Sequence, residues 1–306
     1  MTAPLHIFIL AAGFGTRLKP LSEVVPKPLV PVADMTALEH QLRCLKALRA
    51  EFDVASLHIN AHHLYSQVEA EAQNLGLDQV WVEWPKILGT GAPLHRLWQS
   101  GLRGELLVLN ADNFHNLDLA EFVRQSRSSQ RSFSLLGVDF PAINSLSLNA
   151  EGHLCGVGGA FEPLDDVAQN STFSGIAWYG ENAWSQVQSD DFSIVNFWQR
   201  AVQKQQAPWV YQASTDSLWI DMGTPLGLYR ASVARLKELD LWQYVAPQVD
   251  LKGVDLQGHC VVGAGAQVAA GSSLENCIVL PQTQISSPQN LKNCIVGEGF
   301  VWNLEL

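Results

Sequence analysis

The chain has 306 residues, 47% of them hydrophobic and 16% charged, with Lys plus Arg at 19, Asp plus Glu at 30 and a net charge of −11. This excludes a disordered chain and leaves room for one large α/β domain and a smaller second one. The acidic balance argues against binding nucleic-acid backbone or an anionic membrane, although a local basic cluster can still hold a small anion.

Leu5–Leu10 (LHIFIL) reads as a buried strand running into a Gly-rich loop. Asp34–Ala50 carries Leu38, Leu42, Leu45 and Leu48 at helical spacing, with Asp34 as the expected N-cap. Val54–Asn60 is the next strand, His62–Gln73 a helix, Val80–Trp84 a strand and Pro93–Ser100 a helix. Leu106–Leu109 is a strongly apolar strand that ends at Asn110, Ala111 and Asp112. This alternation predicts a Rossmann-like, mainly parallel sheet flanked by helices, whose ligands bind beyond the carboxyl ends of the strands. The Gly loop after Leu10 and the carboxylate of Asp112 both fall there. Farther on, Ser132–Val138, Thr172–Tyr179 and Trp219–Asp221 are strand-like, and Phe192–Gln206 and Pro225–Leu239 are helical.

Near Ala246 the character changes, dividing the chain into 1–245 and 246–306. Val262, Val268 and Leu274 are six apart, as are Val279, Ile285 and Leu291, and LENCIV at Leu274–Val279 returns as LKNCIV at Leu291–Val296. A period near six predicts a short left-handed β-helix-like solenoid, with Cys277 and Cys294 stacked as small buried residues. Solenoid edges often pair chains, so a homo-oligomer formed through the tail is expected. The five cysteines, Cys44, Cys155, Cys260, Cys277 and Cys294, form no CxxC pair. Met1–Pro4 has no basic leader character, and no apolar run approaches the ~18–20 residues of a membrane span. A cytoplasmic protein with reduced thiols is expected.

Chemistry concentrates in LAAGFGTRLKPLSEVVPKPLVPV, Leu10–Val32. Gly13 and Gly15 let the backbone approach a ligand and adopt φ > 0, and successive N–H groups in such a turn make an anion-binding concavity. Arg17 adds a forked donor for phosphate oxygens, and Lys27 a point charge on a segment stiffened by Pro26 and Pro28. Thr16 and Arg17 stand where a Walker loop needs Lys and Ser/Thr, and Leu18 stands where a dinucleotide fingerprint needs Gly.

The full string resembles the signature of the sugar-1-phosphate nucleotidylyltransferases, or NDP-sugar pyrophosphorylases, with Ala12 for the first Gly and Ser22 for a Thr. Leu88–Ala92 (LGTGA) resembles the family loop that holds base and ribose. LNAD at Leu109–Asp112 resembles the segment whose Asp binds Mg²⁺. TFSGI at Thr172–Ile176 resembles a sugar-side strand, and WIDMGT at Trp219–Thr224 the segment with the second metal carboxylate. A hexapeptide-repeat tail is also common in the family. By pattern, the nearest branches are mannose-1-phosphate guanylyltransferases and N-acetylmuramate-1-phosphate uridylyltransferases.

The resemblance implies transfer of a nucleoside monophosphate from an NTP, GTP or UTP, to a sugar 1-phosphate with release of pyrophosphate. It implies Arg17 and Lys27 as catalytic residues, with Ala12, Gly13, Gly15, Thr16, Gly91 and Asp112 also on the nucleotide. Ser174, Gly175 and Glu162 would touch the sugar, and Asp112 and Asp221 would hold Mg²⁺. No general base is required, because a phosphate monoester is already largely ionised near neutral pH. Two departures stand out. Glu162 is followed directly by Pro163, so the Lys of the family's Glu-Lys-Pro is missing, and Trp84 and Pro85 stand near the place of a base-reading Gln. His62 and His63, just after a strand end, are candidates to face the base. A non-catalytic regulatory subunit, or a cytidylyltransferase acting on an alcohol phosphate such as phosphocholine, are the alternatives.

Overall fold

Mostly apolar runs become neighbouring strands of one sheet in the computed structural model, which describes residues 3–306. Residues 1 and 2, which begin the Met1–Pro4 segment, lie outside the described residues. The chain packs as two units. One comprises Met1–Gly13, Gln41–Ala111 and His115–Trp219, the other Phe14–His40, Asp112–Phe114 and Ile220–Leu306.

The first unit is built on a nine-stranded sheet. Its strands are β1 (Leu5–Leu10), β2 (Val54–Ala61), β3 (Gln79–Val82), β4 (Glu105–Asn110), β5 (Phe133–Val138), β6 (Leu146–Leu148), β7 (Leu154–Val157), β8 (Gln169–Tyr179) and β9 (Trp209–Gln212). The order is β7-β6-β8-β4-β1-β2-β3, with β5 on β8 and β9 on β5. β4, β1, β2 and β3 run parallel, as do β9 and β5, whereas β8 is antiparallel to β4, β5 and β6. The register sets Leu10 opposite Asn110 and Ile9 opposite Ile59, so three carboxyl ends lie side by side.

β1 is buried on both faces, with Leu5, Ile7, Phe8 and Ile9 all fully inaccessible. That explains why its sequence does not alternate between apolar and polar residues. Phe8, Leu106 and Val108 pack with Leu94 and Leu97 of helix Ala92–Gln99 and with Phe197 and Trp198 of helix Ile194–Gln203. Trp198 is almost fully buried, and truncating such a residue to Ala costs about 3–5 kcal/mol.

The sequence reading of Asp34 as N-cap is corrected. The helix runs Ala37–Glu51. Thr36 Oγ1 accepts from the Glu39 N–H at 3.2 Å, and Glu39 Oε2 accepts from the Thr36 N–H at 2.6 Å. This reciprocal pair satisfies two donors at the helix start. Pro31–Val32 and Met35–Thr36 form a small antiparallel hairpin, which holds Asp34 in the turn before the helix begins. There Asp34 accepts two bonds from Arg235, at 2.7 and 2.9 Å.

In the second unit, helix Pro225–Glu238 is capped by Thr224 Oγ1, which accepts from the Gly227 N–H at 3.1 Å. Past residue 245, short strands stack in parallel until the last, Phe300–Asn303, which pairs antiparallel with Asn290–Gly297. Ser273–Val279 pairs with Asn290–Gly297, matching Leu274 to Leu291, Cys277 to Cys294 and Ile278 to Ile295. Cys260–Val262 pairs with Ser273–Val279, and Gln267–Val268 with Gln284–Ile285. Val262, Leu274, Cys277, Val279, Ile285 and Cys294 fill the interior. The stacked thiols are 3.5 Å apart and free. The Asn before each Cys has a turn role. Asn276 and Asn293 adopt φ 52° and 48°, which Asn tolerates better than other non-Gly residues, and the Asn276 amide donates to Asn293 Oδ1 at 3.2 Å.

Candidate functional site

The signature segment is divided, with Ala11–Gly13 in the first unit and Phe14–Val32 in the second. In the second unit, Gly15 takes φ 64° and starts the turn Thr16–Leu18, with the Leu18 N–H donating to the Gly15 carbonyl at 2.8 Å. A side chain on Gly15 would press on Ser22 Cβ at 3.1 Å, next to the Lys27 stem. Gly13 does not have the positive φ expected of it. One left-handed residue suffices for this turn, and Gly13 is exposed with open space where a Cβ would be. Ala12 is buried, and Thr16 is exposed.

The same unit brings together the four charged residues singled out from sequence. Lys27 Nζ donates to Asp112 Oδ2, and Arg17 Nη1 donates to Asp221 Oδ2 at 3.2 Å. The Asp221 Oδ1 also accepts from the Gly223 N–H at 2.8 Å. The two carboxylate segments are joined through the backbone, since the Met222 N–H donates to the Asp112 carbonyl at 3.0 Å. Lys27 and Asp112 are mostly buried, whereas 57% of the Arg17 side chain is exposed. Gly223 leaves room for this pair: a Cβ there would lie 2.8 Å from Asp221 Oδ1 and 3.0 Å from the Arg17 guanidinium carbon, so one of the two side chains would have to shift. Two cations and two carboxylates therefore balance, and the arrangement can exchange partners with a phosphate anion and a hard cation.

In the first unit, loop Leu88–Ala92 is held from two sides. Its Leu88 N–H donates to Glu83 Oε2 at 2.6 Å. Its Thr90 N–H donates to the Phe192 carbonyl at 2.8 Å, and the Ala92 N–H to the Asp191 carbonyl at 2.7 Å. Gly89 and Gly91 leave no room for a side chain, because a Cβ on either would strike the backbone of Phe192 or Asp191. Asp191 is itself fixed by a bidentate pair with Arg200, at 2.5 and 2.6 Å.

A cavity of about 230 Å³ opens beside this loop, lined by Leu10, Thr90, Asn110, Phe173, Gly175 and Trp198 among others. Gly175, expected on the sugar side, lines it. Ser174 is fully buried, its hydroxyl accepting from the Ile176 N–H at 3.2 Å and its carbonyl accepting from Trp219 Nε1 at 2.9 Å. Glu162 lies exposed between β7 and β8, and the cavity wall does not include it. His62 Nδ1 bonds the Glu83 carbonyl at 2.5 Å, and its ring is tilted toward the exposed Trp84 at 6.3 Å. A larger cavity of about 720 Å³ in the same unit, lined by His95, Ser132, Gln188, Arg200 and Lys204, holds none of the residues expected to act.

Asn60, Glu83, Asp191 and Phe192 were not anticipated. The first two were visible only as polar residues near strand ends, and the last two act partly through backbone carbonyls that carry no sequence signal. Burial pushes the Glu83 carboxyl above its ordinary value, opposed by its bonds from the Leu88 N–H and the Asn60 amide.

The chain is similar in sequence and in fold to known proteins. Residues 7–141 match the Nucleotidyl transferase family model. The matched stretch contains Arg17, Lys27, Asn60, Glu83, Leu88–Ala92 and Asp112. The chain is 26% identical over 222 residues to a mannose-1-phosphate guanylyltransferase catalytic subunit beta of Drosophila pseudoobscura pseudoobscura, covering 71% of this chain and 58% of that protein. It therefore spans less than two thirds of that relative. It is 26% identical over 292 residues to a mannose-1-phosphate guanylyltransferase of Mycobacterium tuberculosis, covering 87% and 77%. Its fold resembles that of HddC from Yersinia pseudotuberculosis complexed with GMP-PN, with TM-score 0.60, 20% identity and coverage of 75% of this chain and 99% of the other. No described helix is long and apolar enough to cross a membrane.

Proposed function

We propose that the protein transfers a nucleoside monophosphate from an NTP to a sugar 1-phosphate, releasing pyrophosphate and forming an NDP-sugar. The observation that carries this reading is the double pairing of Lys27 with Asp112 and Arg17 with Asp221 in a nucleotidyl transferase sequence context. An oxygen of the sugar phosphate attacks the α-phosphorus. A new P–O bond forms, the bond to the β-phosphate oxygen breaks, and pyrophosphate departs with the electron pair. Both reactants are anions, so catalysis rests on positioning and charge neutralisation. In this reading Lys27 contacts the α-phosphate and the incoming phosphate, and Arg17 holds the leaving pyrophosphate. Ala12, Gly13, Gly15, Thr16 and Gly91 line the nucleotide, while Ser174, Gly175 and Glu162 belong to the sugar side.

Asp112 and Asp221 offer hard carboxylate oxygens on adjoining, backbone-linked segments, a donor set that suits Mg²⁺. When bound, the ion neutralises phosphate charge. Asp112 and Asp221 would hold the ion, and Lys27 and Arg17 would meet phosphate oxygens.

Residues 1–245 form the catalytic domain in this account, and 246–306 a hexapeptide-repeat β-solenoid tail that joins copies of the chain. GTP or UTP is the donor, and the cytoplasm is the compartment. A non-catalytic binding subunit is the second reading, favoured by the absent lysine between Glu162 and Pro163. Pyrophosphate release measured for four triphosphates against a panel of sugar 1-phosphates separates the two. One productive pair establishes the enzyme, and no release in any combination with Mg²⁺ removes the proposal.

A further inference from the structure

Two loops of the first unit that the proposed function assigns to the nucleotide are joined by a single buried chain of hydrogen bonds. The Ala11 N–H, at the start of the Gly-rich loop, donates to Asn60 Oδ1 at 2.6 Å. Asn60 Nδ2 donates to Glu83 Oε1 at 2.7 Å, and Glu83 Oε2 accepts from the Leu88 N–H at 2.6 Å. Asn60 is 1% exposed and Glu83 2%. A carboxylate in such a place is costly unless its oxygens are satisfied, and both are.

We propose that Asn60 and Glu83 are positioning residues that lock the Ala11 and Leu88 loops into one geometry, so that triphosphate and base are held in register. The logic lies in donor and acceptor count. Ala11 and Leu88 each present an N–H, so the chain between them must begin and end with an acceptor. A carboxylate accepts at both of its oxygens. It thereby forces the Asn60 amide to turn its Nδ2 toward Glu83 and its Oδ1 toward Ala11. Replacing Glu83 with Gln leaves one acceptor where two are needed. Either Leu88 meets an NH₂ group, or Asn60 flips and presents its own NH₂ to Ala11. A defect at one loop is thus passed to the other.

The same count provides a rescue in the double variant Glu83→Gln with Asn60→Asp. The amide oxygen introduced at position 83 accepts from the Leu88 N–H, and the NH₂ beside it donates to the carboxylate introduced at position 60. The other oxygen of that carboxylate accepts from the Ala11 N–H. Every group is again paired, with the charge moved from one side chain to its neighbour.

The proposal rests on the nucleotide reading for its kinetic effect but not for the coupling itself, so the test has two readouts. Hydrogen exchange of the full chain reports peptides containing Ala11 and Leu88. KM for the triphosphate, KM for the sugar 1-phosphate and kcat are measured alongside. In E83Q, exchange should rise at both loops and the triphosphate KM should increase about ten-fold, the effect of one unpaired buried donor, with the sugar 1-phosphate KM unchanged. Asn60→Asp alone should also loosen both loops, and E83Q/N60D should restore protection and KM together. Exchange that rises only near Leu88, or a double variant no better than the singles, would overturn the coupling. Should the wild type show no turnover with any substrate, the proposed function falls, and the exchange pattern still decides this inference.

Discussion

The Met222 N–H donates to the Asp112 carbonyl at 3.0 Å, tying the segment of one metal-candidate carboxylate to that of the other. The link explains how residues 109 positions apart in the chain present their carboxylates from one place. Each carboxylate is already paired with a cation of the signature segment, Asp112 with Lys27 and Asp221 with Arg17.

Arg17→Ala should lower turnover by at least about 100-fold, in line with removal of one group that stabilises developing charge. The side chain is largely exposed, so its circular dichroism and melting temperature should match the wild type. A turnover within a few-fold of wild type would remove the role assigned to Arg17.

Gly223→Ala tests the same constellation without touching a charge. The added methyl would lie 2.8 Å from Asp221 Oδ1 and displace the Arg17 guanidinium. A misplacement of this size is expected to cost about 10- to 100-fold in kcat/KM. Unchanged kinetics would mean that Arg17 and Asp221 act in another arrangement.

Acid should weaken the first unit through two buried histidines. Burial, with His6 adding to it and Asp78 opposing, pushes His58 down to about 4, and burial with Arg43 pushes His115 down to about 4. The bonding fits a neutral ring in each case. Trp81 Nε1 donates to His58 Nδ1 at 3.3 Å, and the Leu117 N–H donates to His115 Nδ1 at 3.3 Å. The unfolded chain protonates these rings near 6.5 while the folded chain does not until about 4. Stability is therefore full above 6.5 and declines as pH falls from there toward 4, by up to about 3 kcal/mol per histidine. Urea unfolding at pH 7 and pH 5 measures the loss, and His58→Gln should reduce it. A flat profile would contradict these environments.

Leu274→Ala probes the stacked strands past residue 245. Leu274 is fully buried in the interior shared with Cys277 and Val279 and lies in register with Leu291. Its truncation should cost about 2–5 kcal/mol in denaturant unfolding. A change under about 1 kcal/mol would show that the coil interior does not bear on stability.

The parallel core of the sheet was legible because β1 and β4 are mostly apolar, non-alternating runs followed by loop residues, and burial on both faces demands that pattern. The pairing of Ser273–Val279 with Asn290–Gly297 was legible because LENCIV returns as LKNCIV, which sets Leu274 opposite Leu291. Arg17 and Lys27 stand out in sequence because one compact segment, Leu10–Val32, carries both, and Asp112 because it follows the apolar strand Leu106–Leu109. Asp34 was misread because Thr36 and Glu39 compete for the same helix start, and the hairpin decides between them. Asn60 and Glu83 were missed for a different reason. Their significance lies in a bond across 23 residues, and neither residue type is unusual at a strand end. The Phe192 and Asp191 carbonyls that hold Thr90 and Ala92 belong to the backbone, which any sequence would supply.

The most direct test of the central claim is phosphorus NMR of the full chain incubated with Mg²⁺, GTP or UTP, and a sugar 1-phosphate. The account predicts that the resonances of an NDP-sugar and of pyrophosphate grow together in equal amounts, only when both substrates are present, and not with Arg17→Ala. Triphosphate that stays intact across the whole panel of sugar phosphates, or that yields orthophosphate without an NDP-sugar, would contradict it.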